Sequence, residues 1–303
     1  QHISFFQLDV TPVPEFPIVD FSNFQNSVEM IRYSKAGDAN ANVKIGVVDT
    51  QTKKTVWMNC FAGADSSYIS RTSWFPGGDK LAITWLNRQQ NHLKLHIADI
   101  HSGATKVVFE EKSITGWVEP KRKPTFITDH SLVWLSEEDG YNHIYVHNTE
   151  KNIKEQVTRG TWDVNKIIHA DKEYIYFAAY KESPINLDFN RIGVDGSDLR
   201  KLSQNNGGHS IQMSPDGRYY LDTYSTFRSP ASVSLHHADG KHIAQLTQPP
   251  QKALEIMKDI DIESIEIPLA GRTLAAIMMK SATFDSTKPH PLLIYCYGGP
   301  GSH

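Results

Sequence analysis

The sequence predicts a mostly β protein, with repeated hairpin units in residues 1–252 and the beginning of an α/β domain in residues 253–303. Three observations lead to this division. Residues 1–250 hold few segments with helical periodicity and many short runs rich in β-branched and aromatic residues, cut by Gly, Asp, Asn and Pro. One hairpin pattern recurs at a steady interval, and the composition changes near residue 250.

The recurring pattern is an apolar strand that ends in a polar turn before a second strand begins. It occurs at residues 45–56, 96–108, 144–158, 191–203 and 234–247. The steps between successive turns are 50, 50, 46 and 44 residues when the turns are marked by Asp49, Asp99, Thr149, Asp195 and Asp239. A period of about 40–50 residues with about four strands per unit is typical of a β-propeller.

A second motif supports the repeat. S-W-F-P-G-G-D-K-L-A at 73–82 and M-S-P-D-G-R-Y-Y-L-D at 213–222 both place Pro and Gly in a turn before an apolar strand. Pro fixes φ and Gly accepts positive φ, so each instance predicts a hairpin leading into the inner or second strand of a blade. The alternative is a β-sandwich with regular turns, but the period held over five units argues against it. Five units are few for a closed ring, so we expect earlier blades on the N-terminal side.

The last part of the chain has a different pattern. Residues 248–260 predict a linker and a short helix, and residues 262–271 and 272–280 predict a hairpin that turns at Gly271. The uncharged run Leu292–Tyr297 predicts a strand buried on both faces, followed by a Gly-Gly-Pro-Gly loop. A hairpin, a loop and a buried strand in this order are typical of the start of an α/β-hydrolase sheet.

Composition excludes some classes of function. The net charge of -3 does not indicate a nucleic-acid partner, and no run approaches the roughly 18 apolar residues of a membrane helix. The N-terminus shows neither a signal peptide nor an initiator Met, which indicates a processed or excised chain.

The potential metal ligands show no metal-type spacing. Cys60 and Cys296 lie far apart and are expected to be free, buried thiols. The 14 histidines show no ligand spacing, and the adjacent His236 and His237 would point to opposite faces of a strand. No cofactor is predicted.

Several segments resemble the dipeptidyl peptidase IV family of the prolyl oligopeptidase clan of serine peptidases. They occur in family order through nearly the whole chain, and the W-V-E-P sequence at 117–120 is similar to Bacteroidetes-type members. The matching segments are Y-S-K-A-G-D-A-N-A-N-V-K at 33–44, T-W-L-N-R at 84–88, T-G-W-V at 115–118, S-E-E-D-G-Y-N-H-I at 136–144, V-T-R-G-T-W-D-V at 157–164 and P-L-L-I-Y-C-Y-G-G-P at 291–300.

The resemblance implies an eight-bladed propeller that caps an α/β-hydrolase domain. Residues 1–252 would supply about five of the eight four-stranded blades, and residues 253–303 the beginning of the catalytic domain. It also implies removal of a dipeptide or tripeptide from peptides with Pro or Ala at the penultimate position. The full-length protein would be a homodimer in the periplasm, secreted or at the cell envelope.

The resemblance also implies site residues. Tyr297, just before the Gly-Pro loop, would donate its hydroxyl to the oxyanion, whereas Tyr295 would be a core residue of the same strand. Arg122 would reach the carbonyl of the penultimate substrate residue, and Glu119 would lie close to the same pocket. The match is weaker here, because Glu119 and Pro120 stand where the family often has Gly and Arg, and Lys121 and Lys123 leave the register open.

Other conspicuous residues have structural explanations. Glu137-Glu138 and Glu110-Glu111 are expected to be solvated, since the glutamates that hold the substrate amine in the family would precede Gln1. The tryptophans Trp74, Trp117, Trp134 and Trp162 are expected to pack between blades.

No G-x-S-x-G nucleophile elbow occurs in the chain, so the Ser-Asp-His triad is absent and the chain alone is predicted to be inactive. The alternative functions are a non-catalytic binding or scaffold propeller and a pseudo-peptidase.

Overall fold

The computed structural model describes residues 1–22, 24–60, 67–120 and 123–299. The chain divides into two compact units: Gln1–Trp134 with His147–Lys154, and Leu135–Val146 with Glu155–His303. The helix α1 spans Gln251–Met257. The strands in chain order are β1 (His2–Asp9), β2 (Glu15–Asp20), β3 (Ser27–Arg32), β4 (Asn42–Asp49), β5 (Thr55–Trp57), β6 (Tyr68–Trp74), β7 (Lys80–Leu86), β8 (His92–Asp99), β9 (Thr105–Lys112), β10 (Thr125–Thr128), β11 (Ser131–Ser136), β12 (His143–Asn148), β13 (Ile153–Gln156), β14 (Val164–Ala170), β15 (Tyr174–Ala179), β16 (Asp188–Gly193), β17 (Arg200–Lys201), β18 (Gly208–Met213), β19 (Tyr219–Thr226), β20 (Ser229–His237), β21 (His242–Thr247), β22 (Ile260–Leu269) and β23 (Arg272–Ser281).

Consecutive strands form the sheets that the repeat predicts. Four sheets have four strands in chain order, β6 to β9, β10 to β13, β14 to β17 and β18 to β21. The first repeat forms a three-stranded sheet in the order β1-β4-β5. Strands that are adjacent in sequence can pair through tight hairpins, which accounts for the regular period. The predicted mostly β, propeller-type architecture is confirmed.

The five turn markers all lie at the turn that joins the last two strands of a sheet, and Asp49 and Asp99 are the last residues of β4 and β8. The Asp99 carboxylate accepts hydrogen bonds from the Ser102 amide (2.8 Å) and hydroxyl (2.7 Å), and Gly103 adopts φ 75°. Asp49, Asp195 and Asp239 accept similar bonds in their own turns. In the third turn the acceptor is Asn148, one residue before the predicted marker Thr149. Its side-chain oxygen accepts a hydrogen bond from the Lys151 amide at 2.9 Å. The sequence repeat is therefore a repeat of Asx turns.

The Pro-Gly turns connect the first and second strands of their sheets, as predicted. Gly78 donates to the Phe75 carbonyl at 3.0 Å with φ 74°, between β6 and β7. Gly217 donates to the Ser214 carbonyl at 2.9 Å with φ 69°, between β18 and β19.

Each unit has its own apolar core. In the first unit, one cluster joins the sheet β1-β4-β5 to the sheet β6–β9 through Ile45, Val47, Leu81 and Ile83. A polar seam accompanies it, in which Asn59 donates to the Gly103 carbonyl (2.8 Å) and Thr105 donates to the Asn59 carbonyl (2.7 Å). In the second unit, a cluster forms around Tyr176, Phe189, Leu202, Ile211 and Tyr220.

A hairpin is inserted between β1 and β4. Strands β2 and β3 pair only with each other, and Glu15 faces Arg32 at the base of the hairpin. Many of its apolar side chains are exposed, namely Ile18, Val19, Phe21, Val28 and Met30.

The region after residue 250 matches the sequence prediction only in part. The short helix forms, and β22 pairs with β23 around Ala270 and Gly271, which both have positive φ as a tight hairpin turn requires. The prediction of a buried strand at 292–297 is wrong for this structure. Residues 289–299 form no strand and their large apolar side chains are exposed, because no described strand or helix of this chain covers them. Residues 300 and 301 of the predicted Gly-Gly-Pro-Gly loop lie outside the described residues.

Candidate functional site

Tyr297 lies in the exposed C-terminal segment of the second unit. Its side chain is 80% exposed, and Gly298 turns the chain directly after it with φ 66°. A side chain on Gly299 would collide with the Tyr297 ring, so the position of this ring requires a glycine at residue 299. Tyr295 and Cys296 are exposed as well, so the predicted burial is wrong for both residues. An exposed phenol can donate a hydrogen bond, but it stabilises an oxyanion strongly only where water is excluded.

Glu119 lies in the first unit, on the segment between β9 and β10. Two backbone hydrogen bonds hold this segment against the turn between β7 and β8: Ser113 donates to Asn91 (2.9 Å) and Val118 to Gln90 (2.7 Å). Val118 packs against the apolar core, and Glu119 is exposed. Arg122, the other predicted substrate-binding residue, lies outside the described residues.

The prediction that Trp117 packs between blades is wrong. Its side chain is 61% exposed, because the anchored Val118 takes the inward position and directs its two neighbours outward. Trp117 and Glu119, the two neighbours of Val118, are both exposed. Trp134 behaves as predicted: it is 3% exposed, and its indole N–H donates to Glu111 at 2.8 Å.

Three of the family-like segments converge around the turn of residues 87–91. The Arg88 guanidinium of T-W-L-N-R donates to the Asp38 carbonyl in the 33–44 segment. The 115–118 segment is bound to the same turn through Val118 and Gln90. These motifs therefore build one rim of the first unit, and that rim carries Glu119.

Two further family-like segments, 136–144 and 157–164, bind each other in the second unit. His143 is fully buried; its Nδ1 lies 3.0 Å from Thr158 Oγ1 and its Nε2 lies 3.0 Å from the Gly160 carbonyl. The Asn142 amide donates to Asp163 at 2.7 Å. These residues hold the sheets together, so this part of the family pattern is architectural.

Glu110, Glu137 and Glu138 are exposed, as predicted for solvated side chains, whereas Glu111 is partly buried and accepts the Trp134 indole N–H. Glu110 lies 2.9 Å from His92 and 3.3 Å from Lys112, and the hydrogen bond from His92 is the main cause that lowers the pKa of this carboxyl. Glu137 accepts the Gly140 amide in a tight turn. Within the described residues, no group of three or more His, Cys, Asp or Glu side chains could hold a metal ion.

Sequence reasoning missed four buried histidines, His96, His143, His147 and His209. For His209, the sequence contains a feature that predicts its pairing with Asp222. The turn at Pro215–Gly217 fixes the hairpin register, which sets Asp222 diagonally across from His209.

Cysteine burial was predicted correctly at one of the two positions. Cys60 is a free, buried thiol, and burial raises its pKa to about 12. Cys296 is free but exposed.

A cavity of about 550 Å³ opens in the second unit between Glu155, Lys172, Tyr174, Asp195 and Asp198. Its charges are mixed, and Asp198 already binds Arg191 at 2.8 Å. In the part of the chain that is described, no helix combines the length and apolar character needed to cross a bilayer.

These features define a chain of propeller-type sheets with an exposed tyrosine at the end of its last described segment. Residues 1–231 match the family model described as the dipeptidyl peptidase IV (DPP IV) N-terminal region. The chain belongs to the dipeptidyl peptidase IV family.

Relatives and solved structures agree with this assignment. The chain is 25% identical to a protein named probable dipeptidyl-aminopeptidase B from Arthroderma otae, and the match covers 100% of this chain and 37% of that protein. A structure assigned as a dipeptidyl aminopeptidase IV from Bacteroides ovatus matches with a TM-score of 0.87 at 26% identity, over 100% of this chain and 46% of that one. Dipeptidyl peptidase 4 from Porphyromonas gingivalis matches with a TM-score of 0.83 at 26% identity, over 94% of this chain and 41% of that one. The chain thus spans less than half of each of these proteins.

Proposed function

We propose that this chain is part of a proline-specific serine exopeptidase that releases N-terminal dipeptides, or tripeptides, after Pro or Ala. The observation that carries the proposal is the match to dipeptidyl peptidases along the whole chain, together with the family model over residues 1–231. In this proposal the chain supplies propeller sheets and the oxyanion donor. The triad comes from elsewhere in the parent protein.

Tyr297 is the proposed oxyanion donor. A phenol aimed at the charge that develops during acyl transfer stabilises the transition state more than the ground state. The 80% exposure of Tyr297 means that other parts of the parent protein must cover it to exclude water. In the parent enzyme we expect Tyr297→Phe to lower kcat by about 10²–10³, with little change in KM.

The proposed contact with substrate in the first unit is the outward pair Trp117 and Glu119. Both side chains are exposed and therefore accessible to a peptide, and Glu119 would lie close to the substrate pocket, as the resemblance to the family implies. Arg122, which lies outside the described residues, would bind a substrate carbonyl, as the resemblance to the family implies.

The first test is hydrolysis of a Gly-Pro anilide by the purified 303-residue chain and by its parent protein. We expect turnover by the parent and none by the chain. The matched control is Tyr295→Phe in the parent, which should leave kcat nearly unchanged. Turnover by the chain alone would refute the proposal that the triad lies elsewhere in the parent protein. A parent without a G-x-S-x-G elbow would support a scaffold or pseudo-peptidase instead.

Assembly and location belong to the same proposal. The exposed apolar side chains of the hairpin β2–β3 support a homodimer of the parent, since large exposed apolar patches usually mark an interface. Sedimentation of the parent with Val28→Lys and Met30→Lys tests this, and an unchanged dimer would exclude this hairpin. We propose a periplasmic, secreted or cell-envelope location, which fractionation of the source cells tests.

A further inference from the structure

His209 is enclosed in the sheet β18–β21, far in sequence from the proposed peptidase residues. Its side chain is buried, and so is that of Asp222 on the neighbouring strand β19. The two ring nitrogens have separate partners: Nδ1 lies 2.8 Å from Asp222 Oδ2, and Nε2 lies 2.9 Å from the Asn205 carbonyl oxygen.

Both partners are hydrogen-bond acceptors. A peptide carbonyl cannot donate, and an ionised carboxylate cannot donate either. A neutral imidazole carries a single N–H, so it can satisfy only one of them. The pair needs a proton between His209 and Asp222, and the imidazole holds it because its ordinary pKa is the higher of the two.

His209 also fixes the loop of residues 204–207. The Tyr224 hydroxyl donates to the Asn206 carbonyl at 2.9 Å, and its ring lies 4.9 Å from the His209 ring. The Leu187 amide donates to the Gly207 carbonyl at 3.1 Å. The loop is therefore bound through three successive carbonyl groups, and one of these bonds depends on the proton at His209.

We propose that His209 is held as an imidazolium and acts as a proton-dependent clamp, which binds the loop 204–207 to the sheet β18–β21 and loosens it when the proton is lost. The clamp is independent of the peptidase proposal, because none of its residues belongs to the proposed active site.

Among the titratable groups on the elements packed against His209, the carboxylates of Asp222 and Asp188 favour the proton. Strand β19 contributes Asp222, Tyr220 and Tyr224, and β20 contributes His236. Strand β16 contributes Asp188 and Arg191, and Asp188 is paired with Lys201 of β17 at 2.8 Å. Strand β14, which also contacts β18, carries Lys166 and His169.

These groups set the direction of the pKa. Burial by itself lowers the pKa of His209, but the hydrogen bond to Asp222 and the other nearby acceptors outweigh burial and raise the pKa above its ordinary value of 6.5. A raised pKa in the folded state gives stability that is complete below about pH 6.5 and is lost as the pH rises through the raised value.

The decisive experiment is a pH titration of the ¹⁵N-labelled imidazole of His209 in the complete chain, with amide exchange of residues 207–209 measured in parallel. We expect both ring nitrogens to be protonated at pH 6.5. Above the ordinary pKa, the opening equilibrium of these amides should rise roughly tenfold per pH unit until the raised pKa is passed. A ring with one protonated nitrogen at pH 6, or amide opening that ignores the titration, would overturn the clamp.

Substitution gives a second readout. His209→Asn should reduce stability most at pH 6 and progressively less towards pH 9. The matched control is His143→Asn, because His143 is equally buried but its partner Thr158 can donate its hydroxyl hydrogen to Nδ1 while Oγ1 accepts the Ile144 amide at 2.9 Å. A pH-independent effect at both positions would refute the clamp, and if His209→Asn does not fold, the titration of the unmodified chain decides.

Discussion

Trp117 is exposed to solvent and Trp134 is buried, although the sequence predicts the same packing role for both. Trp134 is buried against Phe109 and bonded to Glu111, whereas Trp117 is directed to solvent by the anchored Val118. Trp134→Ala should reduce the free energy of unfolding by about 3–5 kcal/mol, because it empties a core position.

Trp117→Ala should change the free energy of unfolding by less than about 0.5 kcal/mol, as for most surface substitutions. Urea unfolding of the two variants measures both values. A large loss of stability for Trp117→Ala would mean that the indole is packed, and it would remove Trp117 from the proposed substrate rim.

His147 is buried without hydrogen bonds to its ring nitrogens among the described residues. It is 2% exposed. Burial lowers its pKa below 6.5, and Lys154 lowers it further. A lowered pKa gives stability that is complete above about pH 6.5 and is lost as the pH falls through the lowered value.

His147→Leu should therefore stabilise the protein, and more so at pH 5 than at pH 7, because the apolar side chain needs neither a partner nor a proton. Unfolding curves at both pH values measure this difference. The control for the replacement of His by Leu is His101→Leu at an exposed position. A His147→Leu variant that loses stability equally at both pH values would point to hydrogen bonds made by the ring.

At the residue scale, sequence reasoning succeeded where chemistry is local. The exposure of Glu110 and Glu137 follows from the turn and strand residues around them, and the structure confirms it. The inward turn of Val118 depends on a hydrogen bond to Gln90, which comes from a separate turn, so the exposure of Trp117 could not be read from its own neighbours.

At the element scale, the two turn glycines Gly78 and Gly103 have nearly the same φ, 74° and 75°, but different surroundings. A Cβ on Gly78 would meet nothing within 4 Å, whereas a Cβ on Gly103 would collide with the Trp57 carbonyl oxygen at the seam between the first two sheets. Gly78→Ala should cost about 1–2 kcal/mol from the left-handed backbone alone.

Gly103→Ala should cost clearly more than Gly78→Ala, because the backbone of β5 must also move. Thermal and urea unfolding of the two variants gives the comparison. Equal losses of unfolding free energy in the two variants would show that the backbone at the seam can move to accommodate a methyl group at little cost.

The elements that local patterns specify were predicted well. Each Asx turn is encoded within about four residues, and the hairpin β22–β23 is encoded by its alternation and by Gly271. The run 292–297 has the composition of a buried strand, but a strand forms only with neighbours to bond to. The described chain provides none for it, so composition alone predicted the wrong environment.

At the scale of the whole molecule, the exposed C-terminal segment should govern self-association. Leu292, Leu293 and Ile294 are consecutive, exposed apolar residues whose backbone is free to pair with a strand of another molecule. Ile294→Lys should reduce the association of the chain at high concentration, because a charge opposes strand pairing.

Light scattering over a concentration series measures the effect. Ser286→Lys adds the same charge at an exposed polar site and should leave association unchanged. Equal reduction by both variants would mean that net charge, and not the apolar segment, governs association.

The contrast between the two thiols makes the chain a single-site conjugation target. Only the thiolate reacts rapidly with maleimides, and the buried Cys60 with a pKa of about 12 supplies almost none near neutral pH. A dye would therefore attach at Cys296, directly beside Tyr297. The fluorescence of that dye would report when another polypeptide covers the tyrosine, without any change to the sequence.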